Sequence, residues 1–177
     1  MTLLPLRDYD EKDVINLFAF QGATPVTKGM LVKMTTGWTT EDELAMLGHV
    51  GGSFSNTVSQ RYGVAAKVGV AGSGDAPLGM LLNDVKDTDE NGEALKFNPR
   101  KAAEMEIALS GQAVPIVTKG IFLYSGAVLA AQTVVVGDSL YCDAGGELSN
   151  VADSRIKVGI ALGAKDSHNH VLIKLSI

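Results

Sequence analysis

The stretch Asp87-Thr88-Asp89-Glu90-Asn91-Gly92 comes nearest to a chemical site in this sequence. It sets carboxylate or amide oxygens at positions one, three and five and glycine at six, which is how a calcium loop begins. The match then stops, because position twelve is Asn98 where a bidentate Glu is needed, and no incoming helix precedes the loop. The same residues also spell a solvated β-turn with Asn91-Gly92 at the reversal. His168-Asn169-His170 could present two imidazoles on one side of a strand, half of a metal site. No third ligand is identifiable nearby, Asp166 being set apart by the expected turn, and a polar hairpin tip is the simpler account. His49 stands alone beside Gly48, Gly51 and Gly52 and reads as structural or exposed.

Cys142 follows Tyr141 in a predicted strand, where a buried thiol is commoner than a reactive one. As the single cysteine it can close no internal disulfide, which fits a reducing origin. Gly69-Val70-Ala71-Gly72-Ser73-Gly74 has glycines at one, four and six, the wrong spacing for a dinucleotide or phosphate loop, and reads as a flexible turn. Lys33, between Val32 and Met34, lacks the neighbours of a biotinyl or lipoyl attachment lysine and reads as the wet face of a strand. No Gly-x-Ser-x-Gly elbow and no His-Glu-x-x-His helix occurs. The expectation is therefore no catalytic residue, no cofactor, no metal site and no enzyme activity.

Composition narrows the field further. A net charge of −5 without a basic cluster argues against binding a phosphate backbone. Aromatics at 6%, with Trp38 the single tryptophan, leave little to stack bases or sugars on. No apolar run approaches the ~20 residues of a membrane span. The opening, Met1–Asp13, is too short and too acidic for a secretory signal, so synthesis in a cytoplasm is expected. Its Leu3, Leu4, Pro5 and Leu6 suit either an arm that packs on a neighbour or a frayed terminus.

The elements that would carry these residues are mostly strands. Twenty glycines punctuate short β-branched runs, the pattern of a barrel or sandwich. His170–Ile177 alternates most cleanly, with Val171, Ile173, Leu175 and Ile177 on one face. Arg155–Leu162 alternates similarly through Ile156, Val158 and Ile160, with Gly159 marking a bulge or a close backbone approach. Further strands are predicted at Val14–Phe20, Met30–Met34, Gly63–Val70, Leu78–Val85, Val114–Val117, Ile121–Tyr124, Thr133–Val136 and Ser139–Cys142. Asn98–Gly111 breaks the pattern: Asn98 caps, Pro99 suits the first turn, and Gly111 suits the exit of a helix carrying Ala102, Met105 and Leu109 on one stripe. Thr40-Glu41-Asp42-Glu43 before Leu44–Leu47 predicts a second, shorter helix.

Phrases also recur. Val26-Thr27-Lys28-Gly29 returns as Val117–Gly120, and Lys67-Val68-Gly69-Val70-Ala71 as Lys157–Ala161, each about 90 residues later. Gly51–Asn56 echoes Gly145–Asn150, and Val134–Gly137 is a looser copy of the first phrase. Each Val-x-x-Gly predicts strand, tight turn and strand. The expected architecture is mainly β, with two related barrel- or sandwich-like units joined by one short helix at about 99–110. Its parts are an arm and first strand at 1–20, a first unit at 21–96, a connecting helix at 97–111 and a second unit at 112–177, the units separate or merged.

Gly137–Asn150, Lys157–Leu162 and Val171–Leu175, together with Ala23–Gly29, resemble the small decoration, or cement, proteins of tailed-phage capsids. The resemblance implies a β-rich structural protein on the capsid exterior of a bacteriophage virion, assembled as a homotrimer at three-fold positions. It would bind the major capsid protein and stabilise the expanded shell by clamping neighbouring subunits, with no nucleic acid or membrane partner. Such a protein sums modest contacts over symmetric copies and needs no activated residue. The alternatives are a carbohydrate- or receptor-binding β module on a virion fibre, and a small β-barrel enzyme with a polar pocket that no spacing here reveals.

Overall fold

A computed structural model describes residues 2–6, 10–37 and 66–177. In chain order its strands are β1 (Thr2–Pro5), β2 (Val14–Ile15), β3 (Ala19–Phe20), β4 (Leu31–Thr36), β5 (Lys67–Val70), β6 (Gly79–Leu81), β7 (Asp84–Val85), β8 (Ile107–Ala108), β9 (Ile116–Val117), β10 (Lys119–Ser125), β11 (Ser139–Cys142), β12 (Leu148–Ser149), β13 (Lys157–Ala161) and β14 (Val171–Ser176). Two short helices, α1 (Pro99–Glu104) and α2 (Ala127–Ala130), accompany them. Trp38, His49, the helix expected at Thr40–Leu47, the echo at Gly51–Asn56 and the start of the strand expected at Gly63 lie outside the described residues.

The strands form two six-stranded sheets, β2-β9-β6-β4-β5-β3 and β1-β10-β14-β13-β11-β12, and a small β7-β8 pair. Leaving aside the edge strands β1 and β3, the large sheets share one connectivity. Taken in chain order, each set of five strands runs first, fifth, fourth, second, third across its sheet, with every neighbouring pair antiparallel. The change of sheet falls at Thr118, between β9 and β10. The helix α1 lies before that change, inside an excursion between β6 and β9 that also holds β7 and β8.

The repeated phrases do not mark equivalent places in these sheets. Lys67–Val70 is the third strand of its sheet, whereas Lys157–Ala161 is the fourth. Val117 ends one sheet and Lys119 opens the other, so Val117–Gly120 is a crossover and not the tight turn expected. The looser copy is the structural counterpart of the first phrase. Gly29 donates to the Leu81 carbonyl while Leu81 donates to Met30, and Gly137 donates to Ala161 while Ala161 donates to Asp138. Gly29 and Gly137 take φ of 93° and 92°, which only glycine adopts without strain.

Side-chain alternation explains why the sheets read differently in sequence. Leu31, Met80 and Val117 of the first sheet join Phe122, Tyr124, Leu140, Val171, Ile173 and Leu175 of the second in one core, so the sheets face each other across it. The intervening residues Val32, Leu81 and Ile116 enter a second core with Phe18, Phe20, Val26, Val85 and Val114. With both faces covered, β6 and β9 are apolar throughout. The last strand, covered on one face, keeps the strict alternation expected of it, Val171, Ile173 and Leu175 each being 1% exposed.

Several expected elements are shorter or broken. Val14–Phe20 divides into β2 and β3, which pair at opposite edges of the sheet and so cannot be one strand. Leu78–Val85 bends after Leu81, where Leu82 donates to Pro115 and Val85 turns to face Ala108. Thr133–Val136 forms no strand: Val135 N–H is taken by Asp138 Oδ2 and the Thr133 carbonyl by Asn150. In β13 a register shift opposite Leu140/Tyr141 turns Val158 inward, while Ile160 pairs with the outward Lys174. Val158 therefore does not share a face with Ile160, Ile156 lies before the strand and is exposed, and Gly159 packs so closely that a Cβ would lie 2.5 Å from the Lys174 carbonyl oxygen. The helix opens as expected, Asn98 Oδ1 accepting from Lys101 N at 3.2 Å with Pro99 in its first turn. It ends at Glu104 and not near Gly111, because Glu106 turns to φ 52° and Ile107–Ala108 pairs with β7. Ala102 and Leu109 still meet, in a small core with Leu95 and Ile107.

Candidate functional site

The acidic loop folds as a turn closed by a lysine. Asp89 points inward, its Oδ1 accepting from Asn91 N at 2.9 Å and Glu93 N at 2.8 Å. Its Oδ2 meets the ammonium of Lys101, which α1 carries into the loop. Asp87 turns elsewhere and accepts from Ser110 N at 3.0 Å and Ser110 Oγ at 2.6 Å. The oxygens at positions one and three thus serve different partners, and the Lys101 charge stands where a cation would be held. An open cleft of about 370 Å³ beside them is lined by Thr24, Pro25 and Lys86–Glu90.

The Lys101 ammonium holds the Asp89 carboxyl below its ordinary value of 3.8, with the two N–H groups adding to the effect. A carboxyl depressed by folding stabilises the native state above its unfolded value and loses that contribution as pH falls through the folded one. Unfolding midpoints measured through the acid range should therefore drop below pH 3.8 in the parent protein. Lys101→Met should flatten that drop, and an unchanged profile would contradict the pairing.

The histidine hairpin is a polar tip built around Asp166. Asp166 Oδ1 accepts from the backbone N–H of His168 and of His170, both at 2.8 Å. Asp166 Oδ2 lies 3.4 Å from His170 Nδ1. The turn therefore brings Asp166 to the histidines and does not set it apart, because Asn169 reverses the chain at φ 62°. The N–H of His170 is the main cause holding Asp166 below its usual range. The imidazole centroids are 6.2 Å apart. Among the described residues, no three His, Cys, Asp or Glu side chains gather as metal ligands.

A third cluster ties the two sheets together. Arg155 Nη2 pairs with Asp143 Oδ1 at 2.9 Å, Nη1 reaches Ser149 Oγ at 3.2 Å, and Nε reaches Ser73 Oγ at 3.3 Å across the seam. On the far side Asp75 Oδ2 accepts from Lys33 Nζ and from Gly72 N, both at 2.7 Å. Lys33 is thus an ion-pair partner of the turn that follows β5, and Lys33 first of all keeps the Asp75 carboxyl below its usual value. Cys142 sits fully buried beside this seam, Sγ 3.6 Å from the Gly72 carbonyl oxygen. Burial pushes its thiol up to about 11. Native protein should therefore react with a thiol reagent at neutral pH far more slowly than urea-unfolded protein. Equal rates would place Cys142 at the surface.

Every buried side-chain nitrogen or oxygen among the described residues has a hydrogen-bond partner. The buried Tyr124 hydroxyl, for instance, accepts from Leu148 N at 3.2 Å. These buried polar groups hold the fold together. The first strand, β1, lies antiparallel on β10 with Leu3 buried, while Leu4 and Leu6 face outward at 47% and 55% exposure. The sequence suited either an arm or a frayed terminus here; the segment is a paired strand, and only that pairing tells which leucine points out.

Residues 102–176 match the family model described as Phage cement protein. The matched stretch takes in all five strands from β10 to β14. No curated protein sequence matches the chain.

Proposed function

We propose, from the phage capsid cement family that the match over residues 102–176 supports, that this protein binds the outside of an expanded capsid and clamps neighbouring major capsid subunits. The family match carries the reading, and a structural, capsid-associated role follows from it. The clamping geometry, the homotrimer and the absence of enzymatic, nucleic-acid and membrane functions are our inference. Polar groups spent on internal cross-links, as at Arg155–Asp143 and Asp89–Lys101, suit a protein that works by rigid surface.

We further infer that the two sheets descend from one duplicated five-stranded unit, 14–117 and 119–176, merged through their shared core. The common strand order and the matching turns at Gly29 and Gly137 support this. The first copy is enlarged by the excursion that carries α1, so the helix lies within a unit and not between two.

Purified protein added to expanded capsids that lack it should bind to saturation and raise the temperature at which the shell disrupts. Its solution mass should be three times the 18.5 kDa protomer. Failure to sediment with such capsids would overturn the reading.

A further inference from the structure

The two sheets share a connectivity but differ in what covers their outer faces. In the first, Val32, Leu81 and Ile116 are roofed by Phe18, Phe20, Val26, Val85 and Val114. In the second, the outward side chains form a comparable apolar row. Leu4 pairs across to Leu123 and Leu123 to Leu172, with Leu162 donating to the Leu172 carbonyl beyond. None of these four belongs to any apolar core formed by the described residues. Leu4 is 47% and Leu162 38% exposed.

The other end of the same strands is basic. Lys174 faces outward between Ile121 and Ile160, and Lys119 and Lys157 lie one row further on. All three are exposed, and among the described residues none makes an ion pair. In a chain of net charge −5 this is a locally positive surface. No strand residue on the face is Asp or Glu. A second copy laid face to face would set lysine on lysine or lysine on leucine, and neither arrangement neutralises the charge.

We propose that the outer face of the β1-β10-β14-β13 sheet is the surface that docks on the shell, and that its occupant is an acidic, apolar-centred patch of a capsid subunit. This rests on the capsid-binding reading above. The leucine row supplies buried area and the lysines supply steering and register.

The test is occupancy on expanded capsids lacking the protein, at low and high salt, for the parent, for Lys119→Glu/Lys157→Glu/Lys174→Glu and for Leu4→Ser/Leu162→Ser. Unfolding midpoint and solution mass are measured alongside; all five positions are at the surface, so both variants should fold. The parent should bind less tightly at high salt, and each variant should lose at least about ten-fold in affinity with its mass unchanged. A parent that binds while both variants bind equally well overturns this face and leaves the capsid reading standing. Lost binding accompanied by a fall in solution mass makes the face a contact between copies and overturns the acidic occupant. A parent that does not bind overturns both readings together.

Discussion

Phe122→Ala should lower the unfolding free energy by about 3–5 kcal/mol, the cost of emptying a fully buried aromatic site that cannot collapse. Phe122 has no exposed surface and sits on β10 in the core that both sheets build. The other residues of that core come from β4, β6 and β9 as well as from β13 and β14, so closing the space needs several strands of both sheets to shift together. Denaturant unfolding measures the loss, and a shift under about 1 kcal/mol would mean that the sheets do not share one rigid core. On the capsid-binding function proposed above, which depends on fixed surface geometry, the same variant should also bind shells less well at temperatures where the parent is intact.

Gly146→Ala should be nearly as damaging, and Gly145→Ala isolates the reason. Both glycines have positive φ, 73° and 74°, which costs a residue with a Cβ about 1–2 kcal/mol. At Gly145 a Cβ would enter open space. At Gly146 it would lie 2.7 Å from the Leu31 carbonyl oxygen and 2.9 Å from Val70 Cγ1, where the loop after β11 presses on β4 and β5 of the other sheet. Overpacking there adds about 1–3 kcal/mol. The expected losses are therefore about 1–2 kcal/mol for Gly145→Ala and about 2–5 kcal/mol for Gly146→Ala, read from urea midpoints of the two variants. Equal losses would show that backbone strain alone matters and that the loop does not bear on the opposite sheet.

The sequence was legible wherever one face of an element meets water. Val171, Ile173 and Leu175 alternate with Leu172, Lys174 and Ser176, and the last strand lies where that alternation puts it. Asn98 and Pro99 likewise announce the start of α1 through local chemistry that needs no distant partner. Its end was not legible, because Glu106 leaves the helix in order that Ile107–Ala108 can pair with a strand some twenty residues back. The polar clusters divide in the same way. The Asp89 turn was readable from Asn91-Gly92, but Lys101 entering it depends on where α1 packs. Asp166 beside His170 needed the reversal at Asn169, and Arg155 reaching Ser73 needed two sheets placed face to face.

From residue order alone came a mainly β, glycine-punctuated chain, the cap of its helix, its solitary thiol and its likeness to capsid cement proteins. The first three follow from periodicity, turn chemistry and composition, which act over a few residues, while the likeness is a resemblance carried by particular stretches such as Gly137–Asn150. Tertiary structure alone decided which strands correspond. The repeated words Lys-Val-Gly proved to record a shared need for small and β-branched residues in buried strands, not a shared position. It also decided which leucines of the second sheet face outward, since a register shift of one residue exchanges the two faces of a strand and only pairing with its neighbours fixes it.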